Sequence, residues 1–310
     1  ADVLMIVGAV LLHLVAETGA EAVLWNRRYE PAGAAVDHAN RDWLRRQGVT
    51  VSEHNASLLV EPWEVATGQN GPYQVFTPFW KRVLTYGLPG DPLPAPAVLP
   101  GAHRPPASLG VAELGLLPPV PWHDKLEGHW RPGEAEAGRP LQAFVDQRLP
   151  RYAEERDWPA LDGTSALSPH LHAGEIGPRQ VVAKVREAGL GESEGGEAFL
   201  RELGWREFAY HLLHHFPETP QRPLKRQFET FPWREADEAV AEAQAWQQGR
   251  TGVPLVDAGM RQLWATGWLH NRLRMVVASF WTKNLRRHWR DGAGWFWDTL
   301  VDADLAANTL

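Results

Sequence analysis

The sequence predicts an α/β N-terminal part with a parallel sheet of the Rossmann type, followed by an all-α domain. Three observations support this prediction. Strand, helix and strand patterns alternate through residues 20–60, which is typical of a βαβ unit. A proline-rich stretch begins at residue 88. From residue 140 onward, apolar residues recur at helical spacing and no β-rich segment intervenes.

The N-terminal part contains one βαβ pattern and one apolar helix. Residues 4–16 are the longest apolar run and predict a buried helix, too short for a membrane span and without the basic start of a signal peptide. Glu21–Trp25 predicts a strand and Ala35–Gln47 a helix, and further strands are predicted over residues 49–52 and 57–60. No GxGxxG follows a strand, which argues against a dinucleotide fingerprint.

Residues 88–139 are predicted to be an interdomain linker, so that the α/β part comprises residues 1–87. Leu88–Pro106 holds seven prolines, which exclude both a helix and a central strand. A surface connector is the expected role of such a segment.

The domain from residue 140 to residue 310 is predicted to be helical throughout. Proline in first turns and glycine after last turns mark several helix ends, and Asn271 is suited to cap the last helix. The predicted helices are Leu141–Leu149, Pro178–Glu187, Glu194–Phe216, Asp237–Gln248, Pro254–Ala265 and Asn271–Arg287.

Charge and composition restrict the function. The chain is acidic overall, with 31 Lys+Arg against 38 Asp+Glu, and it has no cysteine, which excludes disulfides, zinc–thiolate sites and cysteine nucleophiles. Residues 261–290 nevertheless carry seven Lys or Arg, no Asp or Glu, and four tryptophans. Basic side chains neutralise phosphates and aromatic faces stack on unpaired bases, which indicates nucleic acid. Two ordinary helices with a solvated basic face are the alternative.

Five motifs follow one another in the sequence. They are DGTSALSPHLHAGEIGPRQ from Asp162, ELGWREFAY from Glu202, GRTGVPLVDAGMRQL from Gly249, TGWLHNRLRMVVASF from Thr266 and WFWDTLVDADLAANTL from Trp295. In this order they resemble the flavin-binding domain of the DNA photolyase/cryptochrome family, closest to the class I cyclobutane pyrimidine dimer photolyases. The N-terminal part is similar to the light-harvesting domain of that family. The resemblance implies that the opening elements of that domain and the C-terminal end of the helical domain lie outside this sequence.

The resemblance implies a deoxyribodipyrimidine photo-lyase, in which excited reduced FAD gives one electron to a pyrimidine dimer flipped out of DNA. The alternatives are a cryptochrome-like blue-light photoreceptor without repair activity and a flavin-free helical protein that binds nucleic acid. The implied partner is damaged DNA, single- or double-stranded, and the protein is expected to be monomeric, cytoplasmic and free of membrane and metal. A second antenna chromophore, of the folate or deazaflavin type, is also implied.

The resemblance implies a dimer pocket on one helix face. Trp205 matches its aromatic platform, and Glu202, three residues earlier on the same face, matches the carboxylate that hydrogen-bonds the dimer. Without the resemblance, Trp205 and Met275 fit a helical core and Asn271 fits a helix cap. The residues implied to contact DNA or the dimer are Arg156, Glu202, Trp205, Asn271, Arg272 and Met275.

The resemblance also implies flavin contacts at both ends of the helical domain. The TSALS run offers hydroxyl and N–H groups that suit a pyrophosphate, and Arg274 is expected to pair with Asp302 beside the flavin. Asn308 matches the residue that faces flavin N5 in photolyases, and it and Glu202 are the implied catalytic residues. The implied FAD contacts are Tyr152, Thr164, Ser165, Ala166, Leu167, Ser168, Arg206, Arg274, Asp302, Ala303, Asp304 and Asn308.

Electron supply is implied by two further tryptophans. Trp233 and Trp289 match the outer and middle members of the three-tryptophan chain of the family. The inner member is expected two residues beyond Leu310.

Overall fold

The N-terminal part is built on a small parallel sheet. The computed structural model describes residues 2–99, 101, 105–234 and 240–309. Within them, strands β1 (Ala22–Asn26) and β2 (Thr50–His54) are joined by helix α2 (Pro31–Arg46) and pair with Trp25 opposite Glu53. The remainder of the described chain is helical or irregular. The predicted βαβ unit and the fold class are therefore confirmed.

The apolar N-terminal run forms the predicted helix, α1 (Asp2–Thr18), but the prediction that it is buried is wrong. Ile6 is 60 % and Val10 is 52 % exposed. Only one side of α1 packs, where Leu11 and Val15 meet the small core around Leu44. The run is apolar around most of the helix, so it carries no signal of which side faces solvent. Neither α1 nor any other described helix is both long and apolar enough to cross a membrane.

Residues 57–60 do not form the predicted strand, although they are apolar and Leu59 is buried. The backbone N–H groups of Leu59 and Val60 donate to the side chain of Glu207 at 2.8 and 3.2 Å. A carboxyl group of the helical domain thus satisfies donors that a neighbouring strand satisfies in a sheet.

The segment between the two parts contains little regular structure in its described residues. It follows α3 (Phe76–Tyr86), a helix that the periodicity did not predict, and it forms a 3₁₀ turn at Val111–Leu114 and a single helical turn, α4 (Asp124–Glu127). Its end docks on the helical domain. Lys125 Nζ lies 4.1 Å from the centre of the Trp264 ring and donates to the Trp264 carbonyl at 2.6 Å.

The helical domain contains the helices that the periodicity predicted and several short ones that it did not. Most predicted ends agree to within about two residues, but the first helix begins at Glu134, before the predicted Leu141. The predicted start at Asp237 lies outside the described residues. The helices are α5 (Glu134–Gln147), α6 (Tyr152–Glu155), α7 (Ser168–Ala173), α8 (Pro178–Glu187), α9 (Glu194–His215), α10 (Val240–Gln247), α11 (Pro254–Thr266), α12 (Asn271–Ser279), α13 (Trp289–Thr299) and α14 (Leu305–Asn308), with 3₁₀ turns at Leu149–Arg151 and Arg226–Phe228 and a π turn at Phe280–Asn284.

The helix predicted over Asn271–Arg287 is shorter than expected. After α12 the chain widens into the π turn, and Arg286 has a φ of 52°, which no continuing right-handed helix accommodates. The capping role predicted for Asn271 is also wrong. The cap is His270, whose Nδ1 accepts the Arg272 N–H at 3.1 Å.

Helix α9 lies at the centre of the molecule and packs against both parts. Phe199 and Leu203 join the core formed with α5 and α8, and Phe208 joins the core formed with α3. The close approach of α3 depends on Gly204, because a Cβ there would lie 2.5 Å from the Trp80 ring. The residues that α9 carries are therefore positioned by both the α/β part and the helical domain.

Candidate functional site

Two arginines and two carboxylates, from α9, α12 and the segment directly after α6, lie together at the surface of α9. Arg156, directly after α6, donates from Nη1 to Glu202 Oε1 at 2.6 Å. Arg272, in the first turn of α12, donates from Nε and Nη2 to Asp157 Oδ1 at 2.8 and 2.7 Å. Arg156 Nε lies 3.4 Å from the same Asp157 oxygen. These four residues form one group of alternating charges, called here the arginine–carboxylate cluster.

The opposite charges of this cluster favour the ionised forms of Arg156 and Asp157. Burial works against the ionisation of Asp157, but the hydrogen bond and charge of Arg272, with the charge of Arg156, outweigh it and lower the pKa of the Asp157 carboxyl. Burial likewise works against the charge of Arg156, but the hydrogen bond that Arg156 donates to Glu202, with the Glu202 charge, outweighs it, so the pKa of Arg156 is raised. Asp157 and Arg156 are therefore both charged at neutral pH.

Trp205 is 40 % exposed, although it lies in the middle of a largely buried helix. Its ring stacks on Phe76 of α3, with the ring centres 3.8 Å apart and the planes 10° apart. Trp80 lies parallel to Phe76 at 6.5 Å. One face of the Trp205 ring is thus supported while part of the indole meets solvent, which suits a platform for a stacked base.

Asn271 and Met275 are exposed on α12 at the edge of the arginine–carboxylate cluster. Met275 is 55 % exposed, and its Sδ lies 3.5 Å from Arg272 Nη1. The core position that the bare helical pattern suggested for Met275 is therefore wrong. Arg156 contacts Glu202 and Arg272 contacts Met275, and Asp157 joins these two pairs. Trp205 shares the α9 face of Glu202.

The segment Thr164–Ser168 forms a turn between α6 and α7 whose backbone suits an anion. Ala166 has a φ of 50°, and Leu167, which follows it, has a φ of −82° and a ψ of −7°. Adjacent left- and right-handed residues direct successive N–H groups to one side and form a backbone nest, a known phosphate-binding feature. Arg148 holds this turn by donating to the Thr164 carbonyl at 3.0 Å and by pairing with Asp162 at 3.0 Å.

The carboxylates near residue 303 are buried and have different partners. Arg274 donates from Nη2 to Asp302 Oδ2 at 2.6 Å. Tyr210 donates its hydroxyl to Asp304 Oδ2 at 2.6 Å, and Asp304 Oδ1 caps α14 by accepting a backbone N–H at 2.7 Å. Ala303 between them is buried as well. Each carboxylate is therefore fixed from another helix.

The turn Gly267–His270 joins the backbone nest to these carboxylates. Trp268 donates from Nε1 to Ser168 Oγ at 3.1 Å, and the Leu269 carbonyl accepts from Arg274 Nε at 2.9 Å. The Gly267 carbonyl accepts the N–H of Val301 at 2.8 Å. Two segments that are far apart in sequence, at residues 164–168 and 301–304, thus contact one four-residue turn.

Two buried polar atoms near the end of the described chain have no hydrogen-bond partner among the described residues. They are Asp302 Oδ1, an acceptor, and Asn308 Nδ2, a donor. Buried polar groups in native proteins are almost always paired, so a bound donor is expected at Asp302 and a bound acceptor at Asn308. The oxidised flavin ring offers N3–H as a donor and N5 as an acceptor, and the backbone nest suits a pyrophosphate. The residues present therefore fit FAD.

Tyr152 and Arg206, two of the implied FAD contacts, are engaged within the protein. Tyr152 is buried and packs edge-on against core phenylalanines, and the Arg156 guanidinium lies 5.5 Å from its ring centre. Arg206 lies over the Tyr210 ring and donates from Nη1 to the Ser57 carbonyl at 2.5 Å. Their roles toward FAD stay predictions.

Trp233, Trp289 and Asn308 line one cavity of 570 Å³ with largely apolar walls. His288 lies between the two indoles, with its ring centre 5.3 Å from Trp233 and 5.8 Å from Trp289. Aromatic contact is therefore continuous from Trp233 to Trp289, at the cavity that Asn308 borders. The electron-transfer role of the two tryptophans stays a prediction.

Sequence reasoning misses four residues of the site. Asp157 has a detectable signal, because it directly follows Arg156, and a carboxylate next to a predicted DNA contact is a natural partner for it. Phe76 and Tyr210 give no local signal, since their contacts join segments far apart in the chain. His270 is missed because histidine is not among the common N-cap residues.

Two family models match the chain. The model for the FAD binding domain of DNA photolyase matches residues 199–310, which include most of α9 and the buried carboxylates. The model for DNA photolyase matches residues 5–97, which include both strands of the sheet and α3.

Two relatives are similar to nearly the whole chain. A deoxyribodipyrimidine photo-lyase of Agrobacterium fabrum is 45 % identical over 303 residues, which cover 96 % of this chain and 62 % of that protein. Cryptochrome-1 of Arabidopsis thaliana is 40 % identical over 321 residues, which cover 97 % of this chain and 45 % of that protein. The chain thus spans less than two thirds of the length of either relative.

Two solved structures have a similar fold. A bacterial class III photolyase from Agrobacterium tumefaciens aligns with a TM-score of 0.92 at 44 % identity, over 97 % of this chain and 62 % of that chain. An archaeal photolyase from Sulfolobus tokodaii, described as holding two FAD molecules, aligns with a TM-score of 0.72 at 30 % identity, over 92 % of this chain and 59 % of that chain.

Proposed function

Because the chain belongs to the DNA photolyase/cryptochrome family, we propose that it uses light to repair cyclobutane pyrimidine dimers in DNA, as a deoxyribodipyrimidine photo-lyase. One observation carries this proposal. In the arginine–carboxylate cluster, Arg156 donates to Glu202, and Arg272 lies beside the exposed Met275. The α9 face that carries Glu202 also carries the partly exposed Trp205. Cationic, hydrogen-bonding and stacking groups thus share one exposed position, as a flipped dimer requires.

Each of these groups has a part in binding the dimer. The pyrimidine rings stack on Trp205 and contact the Met275 side chain. Glu202 accepts from the N–H edge of a pyrimidine, and its ion pair with Arg156 fixes the position of its carboxylate. Asn271 and Arg272 start α12 at the exposed edge, where they contact the phosphates that flank the dimer.

The protein holds the cofactor from two sides. FAD, when bound, supplies the one-electron photochemistry of the reaction. The backbone nest at Ala166–Leu167 would hold its pyrophosphate, and Asp302 and Asn308 would hold the ring. Arg274 balances the buried charge of Asp302, which alone carries a large desolvation cost. We further propose that the α/β part binds the second, antenna chromophore.

The subclass follows the structural likeness. The sequence motifs place the chain closest to class I photolyases, whereas the similar Agrobacterium tumefaciens protein is described as class III. We therefore propose that this protein is a class III photolyase. The cryptochrome alternative is supported by the likeness to Arabidopsis cryptochrome-1, and Asn308 favours repair over it, since plant cryptochromes tend to carry Asp at that position.

Illumination of the reduced, FAD-loaded protein with an oligonucleotide that contains one thymine dimer tests the proposal. We expect dimers to disappear under blue light and to persist in a matched dark sample. Persistence of the dimer in the light, while the damaged oligonucleotide is bound, would overturn repair and favour the photoreceptor. A purified protein without a flavin absorption band would contradict both functions.

Substitution Trp205→Ala tests the platform. Loss of one base–aromatic stack is expected to weaken binding to dimer-containing DNA by about 1–3 kcal/mol. Trp297→Ala is the matched control, because Trp297 is also an exposed indole, 55 % accessible, without an assigned role. Titration of a labelled oligonucleotide by fluorescence anisotropy measures both variants, and equal affinities for the two would remove Trp205 from the dimer pocket.

A further inference from the structure

A groove of 660 Å³ runs along the N-terminal half of α9 and borders the arginine–carboxylate cluster. Its apolar wall comes mainly from α3, through Trp80 and Leu84. Its charged side chains balance one another, with equal numbers of basic and acidic residues. They are Arg156, Arg201, Arg272, Asp157, Glu194 and Glu197. The groove is thus close to neutral, although it opens where the proposed function places a polyanion.

Asp157 differs from the other two carboxylates of this groove because it is paired. Its Oδ1 accepts from two nitrogens of Arg272 and also lies near Arg156. Glu194 and Glu197 form no ion pair with any residue in the described part of the chain. The Arg272 side chain is 38 % exposed, so its charge faces solvent while Asp157 holds it from one side.

We propose that Asp157 determines how strongly the protein prefers dimer-containing DNA over undamaged DNA, and that it does so by positioning Arg272. This inference rests on the proposed function. Asp157 has two effects on the Arg272 guanidinium: it neutralises part of the charge, and it fixes the orientation by a contact with two nitrogens. The two effects act on different DNA complexes.

Because Asp157 neutralises part of the Arg272 charge, it weakens the binding of any DNA. Undamaged DNA is held through its phosphates alone, and an arginine that already has a carboxylate partner contributes less to that binding. The ion pair is partly exposed and therefore weak enough for a phosphate to compete with Asp157.

The fixed orientation of the Arg272 guanidinium favours only the complex with damaged DNA. With the dimer in the pocket, the guanidinium must lie beside Met275 and next to the Arg156–Glu202 pair, which is where Asp157 holds it. A side chain that is already ordered loses less entropy when the complex forms. Asp157 therefore lowers the affinity for undamaged DNA and supports the affinity for damaged DNA.

Substitution Asp157→Asn tests this inference, because it removes the charge and keeps the shape. Glu197→Gln is the matched control, since it removes one negative charge from the same groove without breaking an ion pair. Dissociation constants are measured by fluorescence anisotropy for one duplex with and without a single thymine dimer, from about 50 to about 200 mM salt.

For D157N we expect tighter binding of the undamaged duplex, with the plot of log K against log salt steeper by about 0.9, which corresponds to one more phosphate contact. Binding of the damaged duplex is expected to stay unchanged or to weaken, so the ratio of the two affinities falls. E197Q is expected to keep the wild-type ratio. In an Arg272→Ala background, D157N is expected to leave the salt slope unchanged.

Several results would overturn the inference. The inference would be wrong if D157N left both the ratio of the two affinities and the salt slope unchanged, or if it lowered the affinity for both duplexes equally. Asp157 would then have a structural role only. A D157N effect that persists without Arg272 would exclude the positioning mechanism. A wild-type protein that repairs dimers while D157N behaves like E197Q refutes the inference alone, whereas a wild-type protein that binds both duplexes equally refutes the proposed function with it.

Discussion

The carboxyl group of Glu207 joins α9 to the N-terminal part and makes stability depend on pH. Its Oε2 accepts two backbone N–H groups, and its Oε1 is buried without a hydrogen bond, 3.9 Å from Arg206 Nη1. Burial raises the pKa of Glu207 from 4.5 to about 7, although the Arg206 charge and the two N–H groups favour the ionised form. The folded protein therefore keeps this proton at pH values where the unfolded chain has lost it.

The folded pKa lies above the unfolded value, so the stabilisation is fully present below pH 4.5, declines as the pH rises to about 7, and is lost above it. From these two pKa values, the contribution of Glu207 to the free energy of unfolding falls by roughly 2–3 kcal/mol between about pH 5 and about pH 8. Glu207→Gln removes this dependence, because the amide stays neutral while its oxygen still accepts the same N–H groups.

Urea unfolding followed by tryptophan fluorescence at both pH values measures the effect. The stability of E207Q relative to wild type is expected to rise by roughly 2–3 kcal/mol from the lower to the higher pH. Constant effects of the substitution cancel in this double difference. So does the titration of His211, whose pKa burial lowers to about 4 and which acts with the opposite sign. A relative stability that is the same at both pH values would show that Glu207 is not buried as a neutral acid.

Two further predictions concern packing and buried charge. Gly204→Ala places a Cβ 2.5 Å from the Trp80 ring, so we expect thermal unfolding to show a loss of about 1–3 kcal/mol. The control Gly294→Ala lies in a helix with free space around it and is expected to gain about 0.5–1 kcal/mol, so equal losses would contradict the packing argument. Arg274→Ala leaves the buried carboxylate of Asp302 unpaired, so we expect a loss of about 3–5 kcal/mol and a lower flavin absorbance. Normal stability and flavin content in that variant would contradict the role given to the pair.

The helices could be predicted where local residues mark their ends. Pro178 and Gly189 bracket α8, and its bounds match the prediction because both signals are contained in the helix and its flanks. Prediction failed where the partner of a segment lies elsewhere in the chain. Residues 57–60 have the composition of a strand, but the side chain of Glu207 supplies their hydrogen bonds, and no local pattern can show this.

In the candidate site, too, local spacing could be predicted and contacts with distant segments could not. The three-residue spacing of Glu202 and Trp205 was enough to place them on one helix face. The support beneath Trp205, the ring of Phe76, comes from a helix in the other part of the protein. The helical pattern around Met275 suggested a core position, whereas the structure leaves it 55 % exposed, while Leu273 and Val277 of the same helix are the ones that are buried. Exposure depends on tertiary packing, which periodicity does not contain.

Three consecutive residues of α9 show why the N-terminal part belongs to the candidate dimer site. Successive positions of an α-helix are about 100° apart, so Trp205, Arg206 and Glu207 point in three directions. Trp205 stacks on Phe76, Arg206 donates to the Ser57 carbonyl, and Glu207 accepts two N–H groups of the same loop. All three partners come from the N-terminal part. A change there can therefore move the platform without altering any residue of the helical domain, which makes that part a structural component of the site in addition to its proposed role as a chromophore carrier.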